Sequence, residues 1–549
     1  MSKKNTPVDA IVVGAGAGGG VVAKELATHG IEVVLFERGD WTDYDQHIND
    51  ELINQRGILK RSHGPDISKR PTMRVTQLEP KLEATPIAGY ATHIAAVVGS
   101  GTVSYGAMAW RFMAEDFTMK STYGPVEGSS LEDWPISYED LEPYYEKAEY
   151  EVGVSGESGA NPFESPRKSP YPMPPFENNE EGTMMAEACK RLGLHPFPIP
   201  MARNSVPYNG RAGCIRNRTC VGHACPVDAK NGTQNSVIPV ALKSGNCELR
   251  TKCEVVEILT DNTGKATGVR YFDEQMQEHI QPAELVVVAA CATETARLLL
   301  NSRTSKFPDG LGNNNDMVGR NIQSHAYTGA IGFFDHDVHH HRGPGATFAV
   351  CDFNHHNEGI IGGGLLANEF YEMPYKFSKN RPPGAAKWGK AHKDFQREYF
   401  RRMVRIVGPI QEMPNADARV IRYDKVKDFW GMPVAGFAGG RHSLDRKHCQ
   451  FLSAKAGDML REAGATIVQE QVGGHPNISA GVHQMGTCRM GDDPATSVTD
   501  KYGKVHDTDN LYVADGSLCV TGGGFNPALT IMALGYWVGE HLTKRYTSD

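Results

Sequence analysis

Residues 9–39 have the sequence DAIVVGAGAGGGVVAKELATHGIEVVLFERG, and this stretch decides the fold of the chain. Residues 10–13 form a short apolar run that predicts a buried strand, and a G-x-G-x-x-G spacing follows immediately. Residues 21–28 have helical character that ends at Gly30, and residues 31–36 form a second apolar strand that ends at Glu37. This order of strand, glycine-rich turn, helix and strand predicts the start of a dinucleotide-binding α/β fold.

Each part of this stretch has a chemical reason. Gly14 permits the tight turn, Gly16 lets a pyrophosphate approach backbone N–H groups, and Gly19 lets the helix and the strand pack closely. Glu37 can accept hydrogen bonds from an adenosine ribose. We therefore expect a dinucleotide at this site, although the motif by itself does not separate FAD from NAD.

Length and composition set the broad class of protein. The chain has 549 residues with 40% hydrophobic and 22% charged residues, which is typical of a globular protein with two or more domains. A formal net charge of −8 provides no basic surface for nucleic acid. No apolar run approaches the roughly 20 residues that cross a bilayer. The 11 cysteines are an odd number scattered along the chain, so we do not expect a complete disulfide framework.

The middle of the chain has a different character. Residues 331–480 show no clear βαβ period, and we expect them to form most of a second domain with a sheet that faces the nucleotide. The run HDVHHH at residues 336–341 is predicted to be a solvated loop rather than a metal site, because no acid or cysteine recurs at ligand spacing.

Two stretches near the C-terminus carry candidate reactive residues. Residues 481–491, GVHQMGTCRMG, place His483 just ahead of a turn of small residues. Residues 509–518, DNLYVADGSL, predict a strand that ends at Asp515 and Gly516, and GGGFNPALTIMAL then opens a helix. We expect Asn526 to be the N-cap of this helix and Pro527 its first residue. Residue type alone favours a structural His483 and a purely capping Asn526.

Taken together, the motifs resemble those of the GMC (glucose–methanol–choline) flavoprotein oxidoreductases. The motifs occur in the same order as in that family. They are the fingerprint above, GSGT at residues 99–102, VVVAACATETARLLL, GVHQMGTCRMG, VADGSL and GFNPALTIMAL. WRFMAEDFTMKSTYG, DWPISYEDLEPYYEKAE and SPRKSPYPMPP resemble more narrowly the catalytic subunits of bacterial FAD-dependent glucose and sugar dehydrogenases, with gluconate 2-dehydrogenase-like enzymes as near relatives.

The resemblance implies an α/β (α+β) fold with two domains. A Rossmann-like FAD-binding domain is expected to be discontinuous, from residues 1–125, 210–330 and 480–549. A substrate-binding domain built on an antiparallel sheet is expected from residues 126–209 and 331–479.

The resemblance also implies a reaction. His483 would lie at the reactive face of the flavin with Asn526 as its partner. Hydride would pass from the carbinol C–H of a sugar or sugar derivative to flavin N5 while His483 accepts the hydroxyl proton, and the electrons would go to an acceptor other than O₂. A neutral imidazole, with an ordinary pKa near ~6.5, can act as this base. Two alternatives stay open: a pyranose-oxidase-like enzyme that uses O₂, and a non-redox flavin-fold lyase or binding subunit.

Further cofactor contacts follow from the same resemblance. Gly99, Gly101 and Thr102 are expected to approach the flavin, and Val255 to meet the adenine. Asp515 and Gly516 would contact the pyrophosphate or ribityl chain, and the helix that begins at Asn526 and Pro527 would face the ring. Some family members attach FAD to a histidine near the GSGTVSYG segment. Ser104 and Tyr105 cannot form that link, so we expect non-covalent FAD.

A cysteine cluster raises a second cofactor hypothesis. CIRNRTCVGHAC places Cys214, Cys220 and Cys225 within a dozen residues. A relative that the chain resembles carries a [3Fe-4S] cluster in the equivalent segment. Other members have cysteine-rich loops without a cluster, so both outcomes stay open.

Partners and location are expectations from the family as well. Besides a carbohydrate substrate, the resemblance implies a small signal-bearing subunit and a cytochrome-type electron-acceptor subunit, and we expect no nucleic acid. The N-terminal residues MSKKNTPVDAIVVGAG show no signal-peptide pattern. The chain is therefore expected to be cytoplasmic, or periplasmic by co-export with its partner.

Overall fold

The computed structural model of the chain describes residues 6–44, 50–54, 69–79, 81–87, 95–339, 343, 345–477 and 481–546. The strands over these residues are β1 (Val8–Val13), β2 (Val33–Phe36), β3 (Met73–Gln77), β4 (Glu83–Pro86), β5 (Phe197–Pro198), β6 (Cys247–Arg250), β7 (Glu254–Thr260), β8 (Ala266–Phe272), β9 (Glu278–Val288), β10 (Tyr327–Phe333), β11 (Phe348–Val350), β12 (Leu366–Asn368), β13 (Met403–Pro409), β14 (Arg419–Lys427), β15 (Pro433–Ala438), β16 (Ile467–Gln471) and β17 (Leu511–Val513). The α-helices are α1 (Ala17–Thr28), α2 (Glu51–Asn54), α3 (Met119–Tyr123), α4 (Tyr138–Ala148), α5 (Glu180–Arg191), α6 (Val237–Lys243), α7 (Ala292–Asn301), α8 (Pro374–Phe377), α9 (Gly389–Tyr399), α10 (Ser443–Glu462) and α11 (Ala528–Tyr546).

A seven-stranded sheet carries the N-terminal fingerprint. Its order is β6-β2-β1-β9-β8-β7, with β17 also beside β9. The strands β6, β2, β1, β9 and β17 pair in parallel, whereas β8 is antiparallel to both of its neighbours. Ile11, Val12, Val286 and Val287 at its centre are fully buried, as expected for parallel strands covered on both faces.

The predicted order of strand, helix and strand over residues 9–39 is confirmed, but the helix begins earlier than expected. It starts at Ala17 and includes Gly18, Gly19 and Gly20, three poor helix formers. A Cβ at Gly18 would lie 1.8 Å from the carbonyl oxygen of Ala514. Close packing against the C-terminal strand therefore requires glycine here, and this packing outweighs helix propensity.

The second large sheet is antiparallel, as expected. It has six strands in the order β16-β10-β13-β12-β11-β5, and α10 packs against β10. A separate four-stranded sheet has the order β14-β15-β3-β4. The architecture is thus mixed α/β with a largely parallel sheet and an antiparallel one. Among the residues that the structure describes, no helix is long and apolar enough to cross a membrane.

The predicted domain boundaries stay a prediction. Strand β10 begins at Tyr327, inside the segment assigned to the FAD-binding domain, and it lies in the six-stranded sheet. The four-stranded sheet combines strands from residues 73–86 with strands from residues 419–438. Both sheets therefore join segments that are distant in the sequence.

Candidate active site

One cavity of about 530 Å³ connects the glycine-rich loop with the predicted reactive residues. Gly14, Gly16 and Glu37 line one end of it, and His483 and Asn526 line the other. Between these ends the wall includes further residues that the sequence predicted, namely Gly101, Thr102, Val255, Asp515, Gly516 and Pro527. Residues from the two ends of the chain thus share one cavity.

The roles assigned to Gly14 and Gly19 agree with the local geometry. Gly14 has φ +101°, which favours glycine, and a Cβ there would lie 2.4 Å from the carbonyl oxygen of Ala289. A Cβ at Gly19 would lie 1.9 Å from the carbonyl oxygen of Gly14. Gly19 does not line the cavity; it holds the helix against the strand.

The backbone at this end is suited to an anionic dinucleotide. Helix α1 begins directly after Gly16 and has no acidic residue in its first turn, so its positive end stays uncompensated. Gly101 also lines the cavity, and a Cβ there would meet no atom within 4 Å. These residues leave open space beside free backbone donors, which fits the dinucleotide that the sequence predicted.

Glu37 is buried at the end of β2 and holds the loop in place. Its carboxylate accepts hydrogen bonds from the N–H groups of Ala15, at 3.1 Å, and Gly39, at 2.9 Å. Burial raises the pKa of Glu37, and the bonds from Gly39 and Ala15 offset only part of this effect. A ribose hydroxyl would add a further donor to a carboxylate that still has acceptor capacity.

The segment at residues 99–102 is tied to the same loop. Gly99 does not line the cavity, but it has φ +85° and its N–H donates to the carbonyl oxygen of Ala15 at 2.9 Å. The Thr102 hydroxyl donates to the carbonyl oxygen of Gly99 at 2.6 Å. Gly99 therefore orients the neighbours that form the wall.

Asp515 occupies the end of β17, as the sequence predicted. Its carboxylate accepts hydrogen bonds from the hydroxyls of Thr295, at 2.6 Å, and Ser517, at 2.5 Å. Burial raises the pKa of Asp515, although these bonds favour its charged form. The adjacent Gly516 brings the backbone to the cavity wall.

Cys291 has a backbone conformation that normally requires glycine. It precedes helix α7 with φ +72° and ψ +147°, a region that is essentially restricted to glycine. It also lines the cavity. The chain therefore keeps the backbone path of a glycine at the cost of local strain.

At the reactive end, five side chains form a connected group. The Asn526 Nδ2 donates to the Tyr327 hydroxyl at 2.7 Å and lies 3.3 Å from the His483 Nε2. The Trp110 indole N–H donates to the Asn526 Oδ1 at 3.0 Å. On the other side of the imidazole, the His483 Nδ1 lies 3.1 Å from the Nδ1 of His325. The predicted pair His483 and Asn526 is thus in direct contact.

Sequence reasoning missed Trp110, His325 and Tyr327. His325 lies 158 positions from His483 in the chain, and no local pattern distinguishes it among the 21 histidines. Trp110 is 416 positions from Asn526. Only the tertiary structure brings these residues together.

The capping prediction for Asn526 is wrong. Helix α11 begins at Ala528, and the Pro527 carbonyl accepts the bond from the Ile531 N–H, which places Pro527 at the cap position. The Asn526 amide bonds to Tyr327, His483 and Trp110 instead. Its side chain belongs to the cavity rather than to the helix end.

The iron–sulfur hypothesis finds no support in the geometry. Across the described ranges, no three histidine, cysteine or acidic side chains form a group that could hold a metal ion. The Cys214 Sγ accepts a hydrogen bond from the Arg216 N–H, and the Cys225 Sγ accepts one from the Ala229 N–H, each at 3.3 Å. The Cys214, Cys220 and Cys225 side chains are each half-buried.

The described residues of the histidine run at 336–341 form a loop, as predicted, but this loop is solvated only in part. His336 is exposed and pairs with Asp335, whereas His339 is buried and stacks on Tyr371 at 4.3 Å between ring centroids. His340 and His341 lie outside the described residues.

Comparisons with known proteins show the family of this chain. Two family models described as GMC oxidoreductase match residues 129–327 and 414–535. The chain is 30% identical to 2-methyl-1,2-propanediol dehydrogenase of Mycolicibacterium austroafricanum, over 100% of this chain and 97% of that protein. It is 31% identical to 6'''-hydroxyparomomycin C oxidase of Streptomyces lividus (98% and 92% covered) and 28% identical to the fructose dehydrogenase large subunit of Gluconobacter japonicus (97% and 97% covered). Among solved structures, pyridoxine 4-oxidase has a TM-score of 0.63 at 16% identity, with 99% of each chain covered.

The chain therefore belongs to the GMC oxidoreductase family. Members of this family are flavoproteins, which implies FAD as the cofactor, and the chain is an oxidoreductase that acts on CH–OH groups.

Proposed function

We propose that this protein oxidises a hydroxyl group of a sugar or sugar derivative to a carbonyl and passes the electrons to an acceptor other than O₂. The observation that carries the proposal is the position of His483 and Asn526 in the same cavity as the glycine-rich loop. The similarity to a fructose dehydrogenase large subunit supports the substrate class.

His483 is proposed as the base. A bound FAD supplies the acceptor for the hydride that leaves the carbinol carbon. His483 takes the hydroxyl proton on Nε2, the atom that faces Asn526 at 3.3 Å. Asn526 and Tyr327 hold the substrate oxygen beside that atom. Neither side chain competes with His483 for the proton at neutral pH.

The remaining wall of the cavity supports a polyhydroxylated substrate. Glu369, Arg405 and Gln471 line it on the side of the six-stranded sheet. Arg405 is fixed by Glu372, whose carboxylate accepts from its Nη1 at 2.9 Å. Several fixed donors and acceptors in one wall are what hydroxyl groups on adjacent carbons require.

FAD is proposed to bind without a covalent link. Gly14, Gly16, Glu37, Gly101 and Thr102 would hold it together with Val255, Asp515, Gly516 and Pro527, while Gly19 and Gly99 shape the loops behind them. The Tyr105 hydroxyl donates to the carbonyl oxygen of Asn231 at 2.5 Å, and a tyrosine cannot form the histidyl link. We do not extend the proposal to an iron–sulfur cluster.

Partner subunits are the remaining part of the proposal. The relative from Gluconobacter japonicus is named as the large subunit of a fructose dehydrogenase, which supports an assembly with further subunits. We propose a small signal-bearing subunit for export and a cytochrome-type subunit as electron acceptor. Expression of the chain with and without such a subunit, followed by fractionation, would test the first of these.

The decisive experiment is anaerobic reduction of the bound flavin. The purified protein is mixed without oxygen with a panel of hexoses, sugar acids and a simple diol, and the flavin absorption is followed. Bleaching by a sugar at a rate that exceeds that of the diol supports the proposal. Rapid reoxidation by O₂ with peroxide formation would favour the oxidase, and a flavin that no compound bleaches would favour the non-redox alternative.

A further inference from the structure

We infer that His325 is a positioning residue that fixes the proton of His483 on Nδ1 and so leaves Nε2 as the base. The inference rests on the proposed role of His483. His325 does not line the cavity but lies behind His483, with ring centroids 5.2 Å apart in a T-shaped arrangement.

The hydrogen bonds of His325, on the side of His483 away from the cavity, determine which His483 nitrogen donates. The His325 Nε2 lies 3.0 Å from the carbonyl oxygen of Gly522, an atom that can only accept, so Nε2 carries the proton. In a neutral imidazole the other nitrogen is then an acceptor. The His325 Nδ1 therefore accepts, and the His483 Nδ1, 3.1 Å away, must donate.

The charge state of His325 agrees with this assignment. Burial lowers the pKa of His325, and the carboxylate of Glu412 and the backbone oxygen of Gly522 offset only part of the effect. The ionisable groups that face it are His483, Glu412 and Asp116. At neutral pH the ring is thus uncharged and can accept from its neighbour.

On the cavity side, the hydrogen bonds of Asn526 independently indicate the same tautomer of His483. An indole N–H can only donate, so the bond from Trp110 identifies the Asn526 oxygen and turns its amide nitrogen toward His483. That nitrogen can only donate as well, and it lies 3.3 Å from the His483 Nε2. Nε2 must therefore present a lone pair, which is the same tautomer that the hydrogen bonds of His325 require.

The same arrangement stabilises the product of proton transfer. When Nε2 takes the proton, His483 becomes a cation that still donates from Nδ1 to the neutral His325. Glu412 adds a buried negative charge behind the pair. Burial opposes the ionisation of Glu412, but Arg441, whose Nε donates to it at 2.7 Å, and the Ser324 N–H outweigh burial and lower its pKa.

The backbone conformation and the packing of His325 fix the position of its ring. Its φ of +56° is uncommon for a residue other than glycine, and histidine and asparagine are among the few that adopt it. A Cβ at Gly522 would lie 2.7 Å from the His325 Nε2, so the ring is packed tightly against that loop. Two residues later, Tyr327 bonds to Asn526, so one short segment supports both partners of the site.

The test compares His325→Ala with His325→Asn. Asparagine accepts the positive φ, and its Oδ1 can take the place of the Nδ1 acceptor. We expect His325→Ala to slow anaerobic flavin reduction by about 10–100-fold, the effect of losing one hydrogen bond to a developing charge, with little change in the half-saturating substrate concentration. His325→Asn should recover most of this rate. His506→Ala, a histidine outside the cavity that bonds to Ser497, is the control and should keep the wild-type rate.

A spectroscopic measurement separates this inference from the proposed function. Nitrogen-15 spectra of histidine-labelled protein report the tautomer, and the His483 signals are those missing from His483→Gln. We expect the proton on Nδ1 in the wild type and a loss of this preference in His325→Ala, whichever substrate the enzyme uses. A proton on Nε2 in the wild type, or an unchanged reduction rate in folded, FAD-loaded His325→Ala, would overturn the inference. A flavin that no sugar reduces would instead count against the proposed function alone.

Discussion

The two ends of the central cavity are built in different ways. At the dinucleotide end the contributing groups are glycine positions and backbone N–H groups, most of them within residues 14–37. At the reactive end Tyr327, His483 and Asn526 line the cavity, and Trp110 and His325 bond to them from outside its wall. These five side chains come from separate parts of the chain. The first end is a property of local backbone conformation, and the second is a property of tertiary contacts.

This difference implies that the two ends fail separately. Removing a side chain at the reactive end should slow flavin reduction while the cofactor stays bound. Adding a Cβ at the other end should disturb the backbone and release the cofactor. The following substitutions test the separation in order of decreasing effect.

His483→Ala should have the largest effect. We expect the rate of anaerobic flavin reduction to fall by ~10²–10⁴-fold, the usual contribution of a general base. Bound FAD should remain stoichiometric, because the glycine-rich loop lies at the other end of the cavity. Stopped-flow reduction and the ratio of flavin to protein measure both quantities. Wild-type reduction kinetics in this variant would mean that the histidine is structural.

Asn526 should matter through its contacts with His483 and Tyr327 rather than through helix stability. Asn526→Ala is expected to slow reduction by about 10–100-fold with little loss of thermal stability, since the side chain does not cap α11. Asn526→Asp should be slower still, because a carboxylate beside the His483 Nε2 favours the protonated ring, which cannot accept the substrate proton. An aspartate variant as fast as wild type would disprove this account of the amide.

Gly14→Ala should disturb the glycine-rich loop at the dinucleotide end of the cavity. The φ of +101° and the approach of a Cβ to 2.4 Å from the Ala289 oxygen force the backbone to move. We expect a loss of about 2–3 kcal/mol in the free energy of unfolding together with a loss of FAD. Gly30→Ala is the matched control, since it also has a positive φ, of +87°, but a Cβ there meets no atom within 4 Å. Its cost should be only about 1 kcal/mol. Equal unfolding free energies in the two variants would contradict the role of close approach.

Cys291→Gly should produce the smallest change and in the opposite direction. Glycine relieves the strain at φ +72° and ψ +147°, so we expect the free energy of unfolding to rise by about 1 kcal/mol. Cys291→Ala keeps the strained backbone but removes the thiol, so the difference between the two variants isolates the backbone contribution. Chemical denaturation of all three proteins measures it, and a glycine variant no more stable than the alanine one would rule out strain.

The sequence by itself was sufficient where structure depends on neighbouring residues. The turn at Gly14, the acid that follows β2 and the strand β17 just before Asp515 each follow from the order of apolar, glycine and acidic residues along a short segment. Even there the start of α1 was misjudged, because three consecutive glycines oppose helix formation, and only their close packing against other segments outweighs this propensity.

At the reactive end the sequence supplied His483 and Asn526 only through family motifs, and it misjudged what Asn526 does. A pattern that favours a helix cap says nothing about an indole 416 positions away that competes for the same amide. Likewise, nothing near His325 indicates that its ring meets His483. Local sequence determined the cofactor loop, because backbone conformation is set by adjacent residues. Only the tertiary structure decided which nitrogen of His483 is the base, because that depends on hydrogen bonds between distant segments.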